Sequence, residues 1–297
     1  MNSSRTRAIG IMSAVSAISI WAIFLVGTRS VVNSTFSVEE ILVLRLLTAS
    51  IFTCPIMLKM GILLRGQSFF ATFVLTIGVS ALFPYTITTG LSYASASDAG
   101  ALAPGTIPFW TTLFSFFILG EKPDRLRIVG LVLIFSGAVF VSLWQISFRF
   151  DSEAWKGHLL FLLAALLWST YSVYFRQSGL HPLHSLVIGL FWGTLALLPF
   201  LYISGRVNFS NASIQDIIAM AILQGILIGV LALVLYTVAV RSLGAAQTGA
   251  FAALTPVFAL VGGATFLDET ITFSKLFGIS LVALGVLLAS GALCKQN

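Results

Sequence analysis

Residues 94–141 read ASASDAGALAPGTIPFWTTLFSFFILGEKPDRLRIVGLVLIFSGAVFV, and much of this stretch is written a second time. Pro108, Glu121, Gly130 and Gly137 recur as Pro256, Glu269, Gly278 and Gly285, each 148 residues later, and Asp124 recurs at that offset as Thr272. Upstream, Gly10, Trp21 and Arg29 recur as Gly157, Trp168 and Arg176 at an offset of 147. These ordered pairs describe a chain made of two copies of one unit. The division falls at residues 1–147 and 148–297.

The copies are too apolar for water. Mean hydropathy is +1.02, 58% of residues are hydrophobic and only 9% are charged, where a soluble domain carries about a quarter charged residues. A spanning helix needs roughly 20 apolar residues, and ten such runs fit at about 8–28, 38–57, 69–93, 98–119, 126–144, 157–175, 183–203, 214–240, 245–267 and 273–293. The runs are continuous and not alternating, which excludes a β-barrel. The expected fold is an all-α membrane protein. Arg5 and Arg7 precede an apolar run from Ala8 to Gly27 that is too long for a signal-peptide core, so it is expected to be the first span. Ser37 and Glu40 have capping-box spacing at the start of span two, and Asp124 and Thr272 are the expected N-caps of spans five and ten.

The net charge of +6 belongs to scattered loop bases and implies no nucleic-acid partner; such bases set topology. With the N-terminus inside, ten bases (Arg5, Arg7, Lys59, Arg65, Lys122, Arg125, Arg127, Arg176, Arg241, Lys295) lie inside and five (Arg29, Arg149, Lys156, Arg206, Lys275) outside, leaving Arg45 within a span. Both termini are therefore expected in the cytoplasm. Five spans per copy is an odd number, so the second copy enters the membrane from the opposite side. The expected architecture is ten transmembrane helices as two inverted five-helix repeats, the arrangement of many secondary transporters.

The run Arg45-Leu-Leu-Thr-Ala, Pro108 followed by Gly120-Glu121, Gly130 and Gly137, and the echo Pro256, Glu269, Gly278 and Gly285 resemble the drug/metabolite transporter superfamily, in particular its EamA-type members. The resemblance covers nearly the whole chain as two EamA-like units. It implies a central cavity between helices, a small-molecule substrate, and export or exchange of metabolites across the inner (cytoplasmic) membrane. The sequence departs from its own symmetry at span seven, where Trp192 stands at the counterpart of Arg45.

All ten acids fall in loops or at span ends, and His158, His181 and His184 lie near span ends. No titratable group is expected at mid-membrane for proton drive, which favours a facilitator or exchanger; Asp98, at the entrance of span four, is the one acid that could still face a cavity. Trp21, Trp110 and Trp168 lie near mid-span, away from the interfacial belts, with Tyr85, Tyr171, Tyr174 and Tyr236 as companions. These rings either line a substrate pathway by stacking or cation–π contact or pack with their N–H and O–H on neighbouring carbonyls. Arg45 is either an anchor for a substrate carboxylate, a side chain snorkelling outward or a partner of Glu269. Pro84, Pro104, Pro108 and Pro256 are expected kinks or gates, and the Ala103-Pro104-Gly105 break has no sequence echo in the second copy. Glu121 and Glu269, on opposite faces, are expected to tie their loops to Arg176 and Arg29. Gly130, Gly137, Gly278 and Gly285 are expected to let helices approach closely, within the protomer or at a dimer contact.

Cys54 and Cys294 make no disulfide framework or metal set. There is no phosphate-binding Gly-x-x-x-x-Gly-Lys-Ser/Thr run, no cofactor and no metal site is expected, and no nucleophile–base set suggests an enzyme. Monomer and homodimer both stay open. Export or facilitated movement of amino acids or related metabolites is expected, with import of a flat heterocycle such as a riboflavin-like vitamin as the rival and an intramembrane enzyme behind both.

Overall fold

The computed structural model describes residues 3–64, 66–148, 153–243 and 245–290. Ten helical spans follow in order: α1 Ser3–Val31, α2 Val38–Met60, α3 Phe69–Tyr93, α4 Ala96–Leu119, α5 Arg125–Phe148, α6 Ala154–Ser178, α7 Pro182–Ile203, α8 Ile214–Leu243, α9 in two pieces, Ala245–Ala252 and Leu254–Phe266, and α10 Phe273–Ala289. Among the described residues nine helices are long and apolar enough to cross a membrane, and α10 is a shorter apolar helix. Local chemistry sets the starts. Ser37 and Glu40 close a capping box on α2, Asp124 Oδ1 accepts the Arg127 N–H at 2.8 Å, and Thr272 caps α10 through the Lys275 N–H. Each satisfies helix N–H groups that have no partner within the helix.

The third helix of each copy departs from α geometry at the same place. Val74–Leu82 in α3 and Ile222–Leu231 in α8 are π-helical, a wider winding that is frequent at functional positions. The fourth helices are broken. In α4 the helix stops at Leu102, passes through one 3-10 turn at Pro104–Thr106 and resumes at Ile107. In α9 it stops at Ala252 and resumes at Leu254. The second copy therefore breaks at the corresponding place although the Ala103-Pro104-Gly105 sequence does not recur there. Pro256 has no N–H for the Ala252 carbonyl and its ring crowds that oxygen, so the winding tightens and the Ala253 N–H bonds to Ala250.

The copies do not sit side by side. α1 and α2 pack on α8 and α9, and α6 and α7 pack on α3 and α4, so each four-helix group draws two helices from each copy. Exchanging α3–α4 for α8–α9 between two intact copies produces these two groups. The reason is geometric, because Gly10 of α1 lies against Ser242 and Leu243 at the end of α8, and Gly157 of α6 lies against Gly90 and Ala94 at the end of α3. A methyl group at either glycine would overlap those neighbours.

α5 and α10 form a separate pair across the twofold. A Cβ on Gly130 would meet the Gly285 oxygen at 2.6 Å, and one on Gly137 would meet the Gly278 oxygen at 2.6 Å. The glycine contact is within the protomer, and the two helices run antiparallel. A core of buried aliphatic and small residues, among them Leu25, Leu91, Ala99, Leu102, Phe161 and Ala259, fills the centre at one end of the bundle. There the first piece of α4 packs on the second piece of α9. Toward the end that carries the termini the two helices part: Ile107–Leu119 lies on α6, and Ala245–Ala252 lies on α8 and α10.

Candidate functional site

α1 presents one face to the inside. Trp21, Phe24 and Thr28 are spaced three and four apart and therefore line up. The Trp21 ring lies 5.4 Å from Tyr236 of α8. The Arg45 guanidinium of α2 sits 5.5 Å over the Phe24 ring and donates to Gln224 Oε1 at 3.2 Å. Gln224, in the π segment of α8, donates in turn to Thr28 Oγ1 at 2.8 Å. Gln224 and Thr28 are fully buried, while Arg45 is half-buried. Gly225 permits this approach, since a Cβ there would meet Thr48 of α2 at 2.4 Å.

Arg45 has no carboxylate partner among the described residues. It does not pair with Glu269, and it does not snorkel free. One of its five N–H donors is directed at Gln224, and the guanidinium retains capacity for a planar anion.

The equivalent face of α6 carries Trp168, Tyr171 and Phe175, each 147 residues after its α1 counterpart. Trp168 lies 5.0 Å from Phe83 of α3 and 5.7 Å from Tyr171. Tyr171 stacks on Phe175 at 5.7 Å and shares a hydrogen bond with Ser185 Oγ at 3.1 Å. The second face is thus an aromatic ladder where the first is polar. Trp192, at the counterpart of Arg45, donates its indole N–H to the Ile62 carbonyl at 2.8 Å, so no cation stands at that equivalent position.

The other expected residues distribute as follows. Trp110 packs with Phe109 and Phe114 of its own helix, and its buried indole N–H finds no acceptor among the described residues. Tyr174 meets Phe70 at 5.4 Å, and Tyr85 is half-buried in α3. Pro84 lies just after the π segment of α3, Pro104 opens the 3-10 turn, and Pro108 and Pro256 stand in the first turns after the breaks. Glu121 meets Arg176 in a two-pronged contact at 2.6 and 3.2 Å.

Glu269 does not meet Arg29, which corrects that expectation. Its carboxylate accepts the Ala96 N–H at 2.6 Å, the Ser97 N–H at 3.2 Å and the Ser97 hydroxyl at 2.6 Å. Arg29 donates to the Leu91 carbonyl at 2.8 Å. The acid has gone to the start of α4 and the base to the last turn of α3, each where the helix dipole favours it.

Sequence reading missed Phe24, Thr28 and Gln224. The signal was available for the first two, because Phe24 and Thr28 repeat the spacing of Tyr171 and Phe175 from their tryptophan. Gln224 carries no such mark.

A family model described as the EamA-like transporter family matches residues 8–143 and again 155–291. Among curated relatives, the chain is 26% identical over 213 residues to an uncharacterized transporter of Clostridium kluyveri, covering 70% of this chain and 67% of that one. It is 25% identical over 210 residues to the uncharacterized transporter YetK of Bacillus subtilis, covering 69% and 63%. A crystal structure of another protein, 18% identical, superposes with a TM-score of 0.62 over 98% of this chain and 100% of that one, a likeness of fold alone. With two matches that take in nearly the whole sequence, one for each five-helix copy, this multi-pass membrane protein belongs to the EamA-like transporter family.

Proposed function

We propose that the protein is an alternating-access carrier for a small carboxylate-bearing metabolite, an amino acid before any other class, moving down its gradient across the cytoplasmic membrane. One observation carries the reading. A guanidinium inside the membrane lies on an aromatic ring, beside a buried amide, with no acid among the described residues to neutralise it. Such a charge is costly in hydrocarbon unless a ligand or partner shares it, and a substrate carboxylate supplies the missing counter-charge. The aromatic ladder on the equivalent face of α6 supports an apolar or ring-bearing remainder. The excess of loop bases at the end that carries the termini supports a cytoplasmic position for both.

The test is counterflow in proteoliposomes with labelled amino acids, their decarboxylated amines and riboflavin, with and without a pH gradient. Arg45→Gln is expected to raise KM for carboxylate substrates by about tenfold or more, with Arg45→Lys intermediate. Amines transported equally by wild type and variant fit this reading. A carboxylate substrate whose KM ignores Arg45→Gln overturns it.

The ladder of Trp168, Tyr171 and Phe175 favours one rival, a flat heterocycle held by stacking. In that case Trp168→Ala and Trp21→Ala abolish riboflavin flux, while Arg45→Gln leaves it intact. A product of changed mass in the assay would point to an enzyme.

A further inference from the structure

We propose that Arg29 and Glu269 are a two-position charge switch at the end away from the termini. In the present form each holds a helix end of the opposing four-helix group, and when that end opens they bind each other. The inference rests on the alternating-access reading above, which requires that end to open in each cycle.

Arg29 and Glu269 belong to one group, through α1 and the corner after α9, and both reach across to the other. Arg29 donates to the Leu91 carbonyl of α3 at 2.8 Å. Glu269 accepts the Ala96 and Ser97 N–H groups of α4 at 2.6 and 3.2 Å. Lys275, from α10, reaches the same turn of α4. Its ammonium donates to Ser95 Oγ at 2.9 Å and Ser97 Oγ at 3.0 Å and lies 3.5 Å from one oxygen of Asp98. The other oxygen of Asp98 meets His158 Nε2 of α6 at 3.3 Å. Parting the groups at this end takes the partners from Arg29 and Glu269 together.

The opposite end, where α4 and α9 have parted, shows the alternative arrangement. The repeat counterparts of Arg29 and Glu269 are Arg176 and Glu121. These lie within one group, on α6 and at the corner after α4, and they meet each other at 2.6 and 3.2 Å. The two corners share their backbone bonding. The Glu121 N–H bonds to the Ser115 carbonyl at 3.3 Å and the Glu269 N–H to the Gly263 carbonyl at 3.1 Å, and Ser115 and Gly263 are themselves counterparts. Only the direction of the side chains differs. Gly263 lets Glu269 turn inward, since a Cβ there would meet Glu269 Oε2 at 2.5 Å, and Ser115 carries that atom. The crossed arrangement is thus built into one end.

Arg29 and Glu269 are placed for the exchange. Val26, three residues before Arg29, lies against Gly262 of α9, where a Cβ would meet it at 2.9 Å. Gly262 adjoins the glycine under the carboxylate. This contact is internal to one group and survives opening. Lys275 is the competing base. Its counterpart Arg127 donates to the Ala289 carbonyl at 3.1 Å and leaves the two oxygens of Glu121 to Arg176. A guanidinium also matches a carboxylate through two parallel hydrogen bonds. Charges that have a partner in both forms avoid the cost of standing alone at the edge of the bilayer, and such an exchange keeps the two forms discrete.

Spin labels at Leu159 of α6 and Ile214 of α8, both exposed, in a Cys54→Ser, Cys294→Ser chain in nanodiscs, read the opening as a longer-distance component. Arg29→Ala, Glu269→Ala and the double variant complete a cycle on the open-to-closed ratio. The ties to the opposing group act separately, so their effects multiply, and only a pair formed on opening leaves a coupling. The expected coupling is at least about threefold, with wild type more open than the variants predict. Ratios that simply multiply overturn the switch. Arg29→Glu combined with Glu269→Arg keeps the pair but turns each charge against the helix end that it faces. It is expected to raise the longer-distance component at least about threefold over wild type, and no rise overturns the proposal. If an alanine variant does not insert, Arg29→Gln and Glu269→Gln complete the cycle under the same criterion. Counterflow on the same samples keeps the two readings apart. Flux with uncoupled ratios removes the switch alone, whereas coupled ratios with no saturable flux for any panel member remove the carrier.

Discussion

At the scale of single residues, the polar chain Arg45–Gln224–Thr28 is the most exposed to substitution. Gln224→Leu removes the acceptor of a half-buried guanidinium and the donor to a fully buried hydroxyl. Leaving such groups unmade costs about 1–3 kcal/mol. We expect a lower unfolding midpoint in detergent, and an unchanged midpoint would show that water replaces the amide. Glu121 offers a milder test. The Arg176 guanidinium hydrogen-bonded to it holds its carboxyl below the usual carboxylate range. A depressed carboxylate contributes stability above its unfolded value of about 4.3, and that stability is lost as pH falls through the lower folded value. The pair is exposed, so the effect is at most about 1 kcal/mol. Glu121→Gln should flatten the acid limb of a pH–stability curve by no more than that. These contacts were unevenly legible. Glu121 and Arg176 were readable because a short loop leaves few partners within reach. Arg29 and Glu269 were not, because free N–H and C=O groups at helix ends attract charges as strongly as ions do, and sequence alone does not show which end lies nearby. Asp98 and His158 look like separate span-end residues in the sequence, and only the packing of α4 on α6 brings them together.

At the scale of helices, the repeat made nearly everything legible, since an apolar run of fixed length has one outcome in a bilayer. What it left unread are departures from α geometry. The π segments of α3 and α8 contain Gly78, Gly225 and Gly229, but glycine also serves close helix packing and does not mark a π winding in the sequence, and the break in α9 is set by Pro256 four residues after the carbonyl it frees. The α5–α10 crossing gives a sharp prediction. Gly137→Leu forces a side chain onto the Gly278 oxygen and Val282, and overpacking of this kind costs about 1–3 kcal/mol or more. Gly249→Ala, where a Cβ meets only Ser290 at 3.6 Å, should be neutral. Thermal scans of the two variants compare them directly, and equal midpoints would mean that the crossing is looser than described.

At the scale of the whole molecule, the two helices α4 and α9 pack together at one end and part at the other, which is one of the two forms that the proposed alternating-access reading requires. Labelling with an impermeant maleimide in intact cells checks its orientation. A cysteine at Thr270 in the α9–α10 loop should react from outside, and one at Lys122 in the α4–α5 loop should react only after the cells are opened. The reverse pattern would invert the topology. The glycine crossing has a consequence of another kind. Gly130 meets Gly285 and Gly137 meets Gly278, so one unit touches the other with its own equivalent surface, as in an isologous interface. A five-helix unit inserted in both orientations already carries, in a single self-complementary helix face, what it needs to recognise its inverted twin. The covalent link between the copies fixes stoichiometry and not recognition, and separately expressed pieces 1–147 and 148–297 should find each other in the bilayer.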